Sequence, residues 1–366
     1  MDRARCICRI DLAQLERNFR FIQSCAPSCR VMPVLKYNAY GMGVHAVGAA
    51  LKAAGAYRFA AATLDEALEL APQGLDVQIL GILPPWEIAA AVAADIICPA
   101  ESLETAALIS AEAVRQNKTV RLAVKIDTGM GRVGIPAHCA VETVKAIAQL
   151  PALSFDSLYA HFAAASQPDT EFCLLQIERF KQVKSALDAE GIFFKHCHHA
   201  AGDASVKIPQ AVQEPFNLIR PGGRLYGVNF TDSCKQVVEL KAHVGAVRSI
   251  PAGESVGYNR MFIAGKPVRT AVITAGYADG VPLALTNKGR VLIRGKSCPV
   301  IGRVSMDYTV VDVTHLETVS AGDEAVLLGR QGDNAVTVEE WGLNKNTHGH
   351  DIWCAIGNRV KREYIW

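Results

Sequence analysis

The chain has 366 residues, of which half are apolar and a fifth are charged, and its net charge is +2. This length suffices for a large buried core and two domains, and the near-balanced charge excludes an electrostatic case for binding nucleic acid or an anionic membrane surface. The sequence has no long uncharged apolar run typical of a transmembrane helix, and the first residues lack the apolar core of a signal peptide. The 11 cysteines are odd in number and scattered, which predicts free, mostly buried thiols in a reducing cytoplasm.

Short apolar runs alternate with longer amphipathic stretches over the first two-thirds of the chain. Eight of these runs are predicted strands, at residues 31–36, 59–62, 77–81, 95–98, 120–126, 154–160, 193–198 and 217–219. Eight strand–helix units in about 200 residues fit a (β/α)8 barrel. An open doubly wound sheet would alternate in the same way, but the absence of a Gly-x-Gly-x-x-Gly turn after the first strand favours the barrel.

Two of the intervening helices have distinct sequence signals. One is predicted to begin at Thr63, because Glu66 stands three positions later at capping-box spacing. The other is predicted from about Thr170 to Glu190. Its predicted apolar side consists of Phe172, Leu175, Ile177 and Phe180.

The pattern changes after about Thr231. Short β-branched runs, separated by Gly, Pro or Asn, predict a second and mostly β domain. Residues 4–10 also alternate like a strand, and we expect them to pair with this second domain. The predicted domains are therefore residues 11–232 and residues 233–366, the latter completed by residues 1–10.

The first predicted strand ends in an amine, at Lys36. A glycine-bearing loop, residues 37–43, follows it. The carboxyl ends of barrel strands face the active site, and the apolar strand behind the lysine is expected to desolvate the amine and favour its neutral, nucleophilic form. Such an amine can bond covalently to an aldehyde. This motif alone fits a lysine snorkelling at a strand end better.

Residues 34–43 resemble the cofactor-lysine motif of the alanine racemase family. Six further segments match motifs of that family in the same order, so that the resemblance covers nearly the whole chain: residues 10–18, 125–134, 159–162, 220–222 with 226–227, 276–280 and 302–307. The resemblance implies a barrel followed by a β domain. It also implies a pyridoxal-phosphate enzyme that interconverts L- and D-alanine.

By the same resemblance, two bases act on opposite faces of the substrate. Lys36 would hold the cofactor and serve one face. Tyr277 of the partner chain would serve the other, which predicts an obligate head-to-tail homodimer with shared active sites. A free phenol has a pKa near 10, so that Tyr277 would need cationic neighbours to act as a base. The structural alternative for Tyr277 is a phenol that caps a turn.

The resemblance also assigns cofactor contacts. Tyr40 and the backbone amides of Gly222 and Gly223 would bind the phosphate. Arg220 would donate to the pyridine nitrogen, and His161 would lie beside the ring, hydrogen-bonded to Arg220. Taken alone, Arg220 is better explained as a surface ion-pair partner and His161 as a satisfied core histidine.

Further residues are implied in substrate binding. Arg132 would contact the cofactor's phenolic oxygen and the substrate carboxylate, and the backbone of Met306 from the partner chain would help to orient that carboxylate. Lys125 matches a lysine that is often carbamylated in the family and braces the arginine. Its alternative is an unmodified lysine paired with Asp127.

Beside Tyr37 and Met42, which stand where the family usually has Ala and His and flank the key residues, two departures from the family pattern bear on binding. Ala201 and Gly202 stand where an Asn-Ser pair is usual, so that a phosphate-binding hydroxyl is lost, although the Gly202 amide could still donate and Ser205 could compensate. Asn358 stands where a tyrosine usually lines the substrate entrance. Family members that act on serine also carry Asn there, and an amide can bind a hydroxyl. We therefore expect alanine racemisation with appreciable serine racemisation.

Four other functions are considered. Serine could be the main substrate. An amino-acid decarboxylase of the same architecture would have a glutamate rather than Arg220 at the pyridine nitrogen. A metal-assisted D-amino-acid dehydratase or aldolase would use ligand-type residues such as those at 196–199 and at 348–351 with Cys354, although neither segment has zinc-finger spacing. A non-catalytic cofactor-binding protein would lack the β domain.

Overall fold

The computed structural model describes residues 4–228 and 233–366, which form two compact units. The N-terminal unit comprises residues 16–39 and 44–225, and the C-terminal unit comprises the described residues of 1–15, 40–43 and 226–366. The predicted boundary at residue 232, and residues 1–3 of the predicted N-terminal strand segment, lie outside the described residues.

The first strand, β1 (Cys6–Asp11), belongs to the C-terminal unit. Nine strands follow in the N-terminal unit: β2 (Arg30–Val31), β3 (Phe59–Ala61), β4 (Val77–Ile79), β5 (Cys98–Ala100), β6 (Val120–Asp127), β7 (Ile135–Pro136), β8 (Leu153–Tyr159), β9 (His196–His198) and β10 (Leu218–Ile219). All eight predicted strands are represented within a few residues. β2 is shorter than predicted because Pro33 has no amide hydrogen for a ladder. β7 was not predicted and pairs only with β6.

Parallel pairing joins these strands in chain order. Ladders connect β10 with β2, β3 with β4, and β5 through β6 and β8 to β9. The three remaining junctions are isolated parallel bridges, Val34 with Ala60, Gln78 with Ile97, and Ala201 with Arg220. The order returns from β10 to β2, which is the order that the barrel prediction requires.

Helices lie between the strands of this unit. They are α1 (Leu12–Cys25), α2 (Val44–Ala54), α3 (Leu64–Leu70), α4 (Ile88–Ala93), α5 (Leu103–Arg115), α6 (Ala140–Ala148), α7 (Glu171–Ala189) and α8 (Ala204–Lys207). The predicted start of α3 is confirmed, since Thr63 is its N-cap and forms a capping box with Glu66.

Helix α7 confirms the second predicted helix but not its whole apolar side. Ile177 and Phe180 are buried, whereas Phe172 and Leu175 are 39% and 44% exposed. The buried face runs through Cys173, Gln176, Ile177, Phe180, Val183 and Leu187. At 3.6 residues per turn, Phe172 falls at the edge of that stripe and Leu175 falls outside it, so the prediction was wrong for these two residues.

The C-terminal unit is mostly β, as predicted. After β1 its strands are β11 (Val238–Ile250), β12 (Ser255–Val256), β13 (Phe262–Ile263), β14 (Val268–Ile273), β15 (Arg290–Ile293), β16 (Lys296–Pro299), β17 (Thr309–Asp312), β18 (Glu324–Gln331), β19 (Asn334–Val336) and β20 (Lys361–Ile365). The main sheet has the order β16-β15-β18-β11-β1-β20. β1 pairs antiparallel with β11 and parallel with β20, which confirms the expected pairing of residues 4–10 with C-terminal strands. Two helices, α9 (Val338–Lys345) and α10 (Gly349–Cys354), were not predicted.

The cysteines form no disulfide, as the sequence predicted. All 11 lie within the described residues, and most of them are buried. Over residues 4–228 and 233–366, every helix is too short or too polar to span a bilayer.

Candidate functional site

Lys36 follows β2 and the isolated bridge between Val34 and Ala60. The amide of Leu35, just before it, donates to the carbonyl of Ala60 on β3 at 2.8 Å. The next three residues adopt left-handed backbone conformations, with φ of 52° at Tyr37, 50° at Asn38 and 54° at Ala39. Each such residue costs roughly 1–2 kcal/mol when it carries a side chain. The expected desolvation of Lys36 was wrong for the chain alone, because Lys36 is exposed although Leu35 before it is buried.

Hydrogen bonds hold this left-handed turn on both sides. The Glu66 carboxylate accepts from the amides of Tyr37 at 2.6 Å and of Ala62 at 2.8 Å. The Asn38 Oδ1 accepts from the amide of Val44 at 2.7 Å. Glu66 therefore fixes the turn that presents Lys36 in addition to capping α3. The sequence indicated only the cap, because the second contact joins segments far apart in the chain.

Arg220 is the centre of the N-terminal unit's polar site. It is 2% exposed and donates to the carbonyls of Ala160 at 2.7 Å and His199 at 3.0 Å. It also contacts Nδ1 of His161 at 3.1 Å and Nδ1 of His198 at 2.5 Å. Because a guanidinium only donates, both imidazoles accept at Nδ1 and are neutral. The alternative of a surface ion pair for Arg220 is wrong.

Four cations lie within electrostatic range of His161. Burial, followed by the positive charges of Arg220, Arg132, Lys125 and Lys36, lowers the pKa of His161 to about 3. The structure thus groups these five predicted residues. An imidazole in this field stays neutral at physiological pH.

Lys125 is buried on β6. Burial, and then the charges of Arg220 and Arg132, lower its pKa to about 8, against the opposing effect of Asp127. No ion pair within the described ranges joins Lys125 to Asp127, so the alternative of a simple Lys–Asp pair is wrong. A buried amine in this range is partly neutral near physiological pH.

Asp127 instead folds the loop that carries Arg132. Its carboxylate accepts from the amides of Gly129 and Met130 at 2.8 Å and of Gly131 at 2.9 Å. Burial raises the pKa of Asp127, but these amide hydrogen bonds outweigh it and hold the pKa below its ordinary value. Arg132 itself is exposed at the tip of the loop.

Sequence reasoning missed one residue that joins two parts of this site. Gln176 is fully buried on α7, and its Nε2 donates to Thr128 Oγ1 and to the carbonyl of His161, both at 3.1 Å. Its Oε1 accepts from the amide of Ala163 at 3.0 Å. This amide ties the loop after β6 to the loop after β8. A polar residue among the buried positions of α7 was the available signal.

Gly222 and Gly223 lie at the start of a short 3-10 turn, Gly223–Tyr226. Both glycines are buried. Over the described ranges, neither amide donates to a backbone carbonyl. Free amides at the start of such a turn are suited to an anion.

Gly202 faces this turn and has no room for a side chain. A Cβ built there would lie 2.9 Å from the Cβ of Arg224, so that a serine at this position would require the backbone to shift. The expected compensation by Ser205 is not seen, because its hydroxyl donates to the carbonyl of Gly202 at 2.8 Å. Arg224 is buried and paired with Asp203.

The remaining predicted residues belong to the C-terminal unit. Tyr277 and Met306 are 42% and 52% exposed, and their turns are joined by a 2.9 Å hydrogen bond from the Tyr277 amide to the Ser305 carbonyl. Asn358 is exposed. Tyr40 is buried, and its ring centroid lies 5.2 Å from that of Tyr226.

The two ligand-rich segments do not assemble a metal centre. Within residues 4–228 and 233–366, no group of three or more His, Cys, Asp or Glu side chains is placed to hold an ion. In the first segment, His198 accepts from Arg220 instead. In the second, Asp351 pairs with Lys345.

Comparison with known proteins gives two family matches that together span most of the chain. Residues 10–230 match the model of the alanine racemase N-terminal domain, and residues 237–364 match that of the alanine racemase C-terminal domain. A curated relative from Carboxydothermus hydrogenoformans, named alanine racemase, is 38% identical over 365 residues, which is 97% of this chain and 98% of the relative.

Solved structures are similar over the full length. Alanine racemase from a D-cycloserine-producing Streptomyces lavendulae has a TM-score of 0.91 and 31% identity, covering 100% of this chain and 98% of that one. Alanine racemase from Bartonella henselae, solved with covalently bound pyridoxal phosphate, has a TM-score of 0.89 and 29% identity, covering 99% of this chain and 100% of that one.

Proposed function

Because this chain belongs to the alanine racemase family, we propose that it interconverts L- and D-alanine with pyridoxal phosphate as cofactor. It is an isomerase, since substrate and product are mirror images. The observation that carries the proposal is the contact between buried Arg220 and Nδ1 of His161, whose pKa is also lowered by the charges of Arg132, Lys125 and Lys36. This arrangement offers an exposed amine, at Lys36, within a positive field suited to an anionic cofactor.

The residues present fit that cofactor. The exposed amine of Lys36 is available for a covalent bond to its aldehyde, as in the Bartonella henselae relative, which carries pyridoxal phosphate covalently. The free amides of Gly222 and Gly223, with the amide of Gly202, supply donors for the phosphate. Tyr40 supplies a phenol for the same group.

When bound, the cofactor withdraws electrons from the substrate's α-carbon, so that its hydrogen can leave as a proton. Arg220 fixes how strongly this happens. Burial lowers the pKa of Arg220 only to about 10, so that it stays a cationic donor at neutral pH. Arg220 would donate to the ring nitrogen, which would keep that nitrogen unprotonated and would limit the electron withdrawal. His161 and His198 hold the guanidinium in place as acceptors.

Two bases handle the proton. The Nζ of Lys36 serves one face of the substrate, and the phenol of Tyr277 from the partner serves the other. Arg132 binds the substrate carboxylate, with the Met306 backbone of the partner beside it. Lys125 braces Arg132, and its lowered pKa of about 8 supports carbamylation, since carbon dioxide reacts with a neutral amine.

A shared active site requires a homodimer. Six large apolar or aromatic side chains of the C-terminal unit are exposed and are here together called the partner surface: Tyr258, Met261, Ile263, Tyr277, Met306 and Tyr308. Asn287 joins the segments of Met261 and Gly302, because its side chain donates to the Met261 carbonyl and accepts from the Gly302 amide. Apolar patches of this kind mark contacts between proteins. This surface supports the head-to-tail dimer.

Serine is proposed as a second substrate. Asn358 is exposed, and its amide can bond a hydroxyl that a tyrosine at this position would crowd. A pocket discriminates only weakly against one added hydroxyl when nothing rejects it. Alanine therefore remains the main substrate.

Three wider expectations remain proposals. We propose cytoplasmic localisation, which is supported by the lack of disulfides among the 11 cysteines of the described residues. We propose that the three isolated bridges close the eight strands into the (β/α)8 barrel. The domains are proposed as residues 11–232 and 233–366 with 1–10, which is close to the division between the two family matches.

Borohydride reduction tests the central covalent bond. Holoenzyme treated with borohydride should yield one pyridoxyl-labelled peptide, with the label on Lys36, and lose alanine racemisation. Lys36→Ala should give no label, while Lys52→Ala, which alters an exposed lysine bonded to a carbonyl, should label normally. A label on another lysine, or none in active enzyme, would refute the proposal.

A further inference from the structure

Arg359 joins the two turns that carry Tyr277 and Met306. Its Nε and Nη2 donate to the two carboxylate oxygens of Asp279 at 2.8 and 2.9 Å. Its Nη1 lies 2.8 Å from Oδ1 of Asp307. Asp279 is in the Tyr277 turn, and Asp307 follows Met306 directly. One guanidinium therefore holds both turns.

We propose that Arg359 is a positioning residue that aligns the Tyr277 and Met306 turns, and that it acts on the active site of the partner rather than that of its own chain. This inference rests on the proposed function, in which both turns are contributed across the dimer. Nothing in the sequence pattern marked Arg359 for this role.

The Tyr277 turn depends on Arg359 because the Asp279 carboxylate within that turn is buried. The Asp279 side chain is 6% exposed, and its Oδ2 also accepts from the Gly276 amide at 2.9 Å. A buried carboxylate that loses its cation must find another partner or rearrange. Rearrangement of Asp279 would move the backbone on which Tyr277 stands.

The backbone at Gly276 and Gly357 is packed too closely against neighbouring carbonyls to absorb such a movement. A Cβ built at Gly276 would lie 2.2 Å from the Ser305 carbonyl oxygen, and one at Gly357 would lie 2.1 Å from the Ala278 carbonyl oxygen. The two turns and the segment before Arg359 are therefore in direct backbone contact. A displacement at Arg359 is passed on to the turns.

The guanidinium is specific for this task. It presents N–H groups in a fixed fork that matches one carboxylate in bidentate fashion while a third group reaches a second carboxylate. A lysine ammonium at the same place would keep a charge but not the three directed contacts. Arg359→Lys should therefore restore only part of what Arg359→Gln loses.

Hybrid dimers show whether Arg359 acts on the active site of the partner or on that of its own chain. Chains with two different tags are co-expressed, one with Lys36→Ala and the other with Tyr277→Phe, and the mixed holoenzyme dimer is purified. It contains one intact site, formed by Lys36 of the second chain and Tyr277 of the first. Activity of this hybrid tests the proposed function by itself, and an inactive hybrid would refute the shared site.

Arg359→Gln is then added to either chain of the active hybrid. On the Lys36→Ala chain, which donates Tyr277, we expect kcat/KM for alanine to fall about tenfold or more, since small misplacements of reacting groups cost up to about a hundredfold. On the Tyr277→Phe chain the change should be less than about twofold. Equal losses in both arrangements, or none in the first, would overturn the inference.

Arg294→Gln is the matched control. Arg294 also makes a bidentate pair, with Asp323, and its side chain is 50% exposed, against 46% for Arg359. It contacts neither turn. Arg294→Gln on either chain of the hybrid should leave kcat/KM for alanine unchanged. This control distinguishes a positioning role of Arg359 from a general loss of stability in the C-terminal unit.

Isotope exchange gives a second measurement. In D2O, Lys36 of Arg359→Gln homodimers should still exchange the α-hydrogen of one alanine enantiomer with retention, while transfer involving Tyr277 fails. The ratio of exchange to racemisation should therefore rise several-fold for that enantiomer alone. A parallel fall of exchange and racemisation for both enantiomers would contradict a role in positioning Tyr277.

Discussion

Buried histidines around Arg220 make the protein sensitive to acid. Burial, and then Arg220, lowers the pKa of His161 to about 3 and holds the pKa values of His198 and His199 well below the ordinary value. In the unfolded chain these groups take up protons near pH 6.5. Below that pH the unfolded state binds more protons than the folded state, so that stability falls as pH falls.

His199→Phe should weaken this dependence. His199 stacks on Phe162 with ring centroids 3.8 Å apart, so that a phenyl ring suits the site. Between about pH 6 and pH 4.5, the slope of the unfolding free energy should decrease by up to about 1.4 kcal/mol per pH unit. Urea unfolding at several pH values measures it. Phe180→Leu, which changes packing against His199 without a titrating group, should keep the wild-type slope.

Asn358→Tyr tests the substrate breadth. We expect the ratio of kcat/KM for serine to that for alanine to fall by about 10-fold, because the amide is removed and the added ring crowds a hydroxyl. Initial rates with both L-amino acids give the ratio. The neighbouring substitution Ala355→Ser, also at an exposed position, serves as control. An unchanged ratio in Asn358→Tyr would end the serine proposal.

At the scale of elements, the left-handed turn after Lys36 is the strained part of the site. Consecutive residues with side chains adopt it only because surrounding contacts over-determine their backbone. Glu66 supplies one such contact from α3, and Asn38 supplies another through its bond to the Val44 amide. The helix start and the lysine turn therefore form one structural unit.

Glu66→Ala should separate the start of α3 from the turn after Lys36. Both Glu66→Ala and Thr63→Ala remove part of the α3 cap and should each lower stability by about 1 kcal/mol. Only Glu66→Ala also frees the Tyr37 amide, so that only this variant should release pyridoxal phosphate more readily, about 10-fold in Kd for each 1.4 kcal/mol lost. Absorbance titration of apoenzyme measures the affinity. Equal weakening in Thr63→Ala would show that the cap alone matters.

At the scale of the whole molecule, the proposed active site depends on dimerisation through the partner surface. Ile263→Glu places a charge on this surface, where Ile263 is 56% exposed in the single chain. We expect weaker dimerisation by sedimentation velocity, and activity that recovers as protein concentration rises. Leu343→Glu alters an 83% exposed residue on α9, outside the surface, and should leave both unchanged. A fully active monomer would refute the shared site.

The sequence by itself determined the order of the eight predicted parallel strands and that Lys36 follows the first of them. Periodicity, the Thr63 cap and Pro33 act within a few residues, so that their effects can be recognised locally. The local pattern did not show that Phe172 and Leu175 are exposed, because the buried side of α7 is set by the segments that pack against it. The family motifs named the site residues but not their contacts.

Only the tertiary structure decided which groups meet. Arg220 contacts His161 across 59 residues of sequence, and Arg359 contacts Asp279 across 80. A serine side chain at Gly202 would meet the nearby Cβ of Arg224. Burial, charge and hydrogen-bond partners arise when distant segments pack together, and no local spacing in the chain records them.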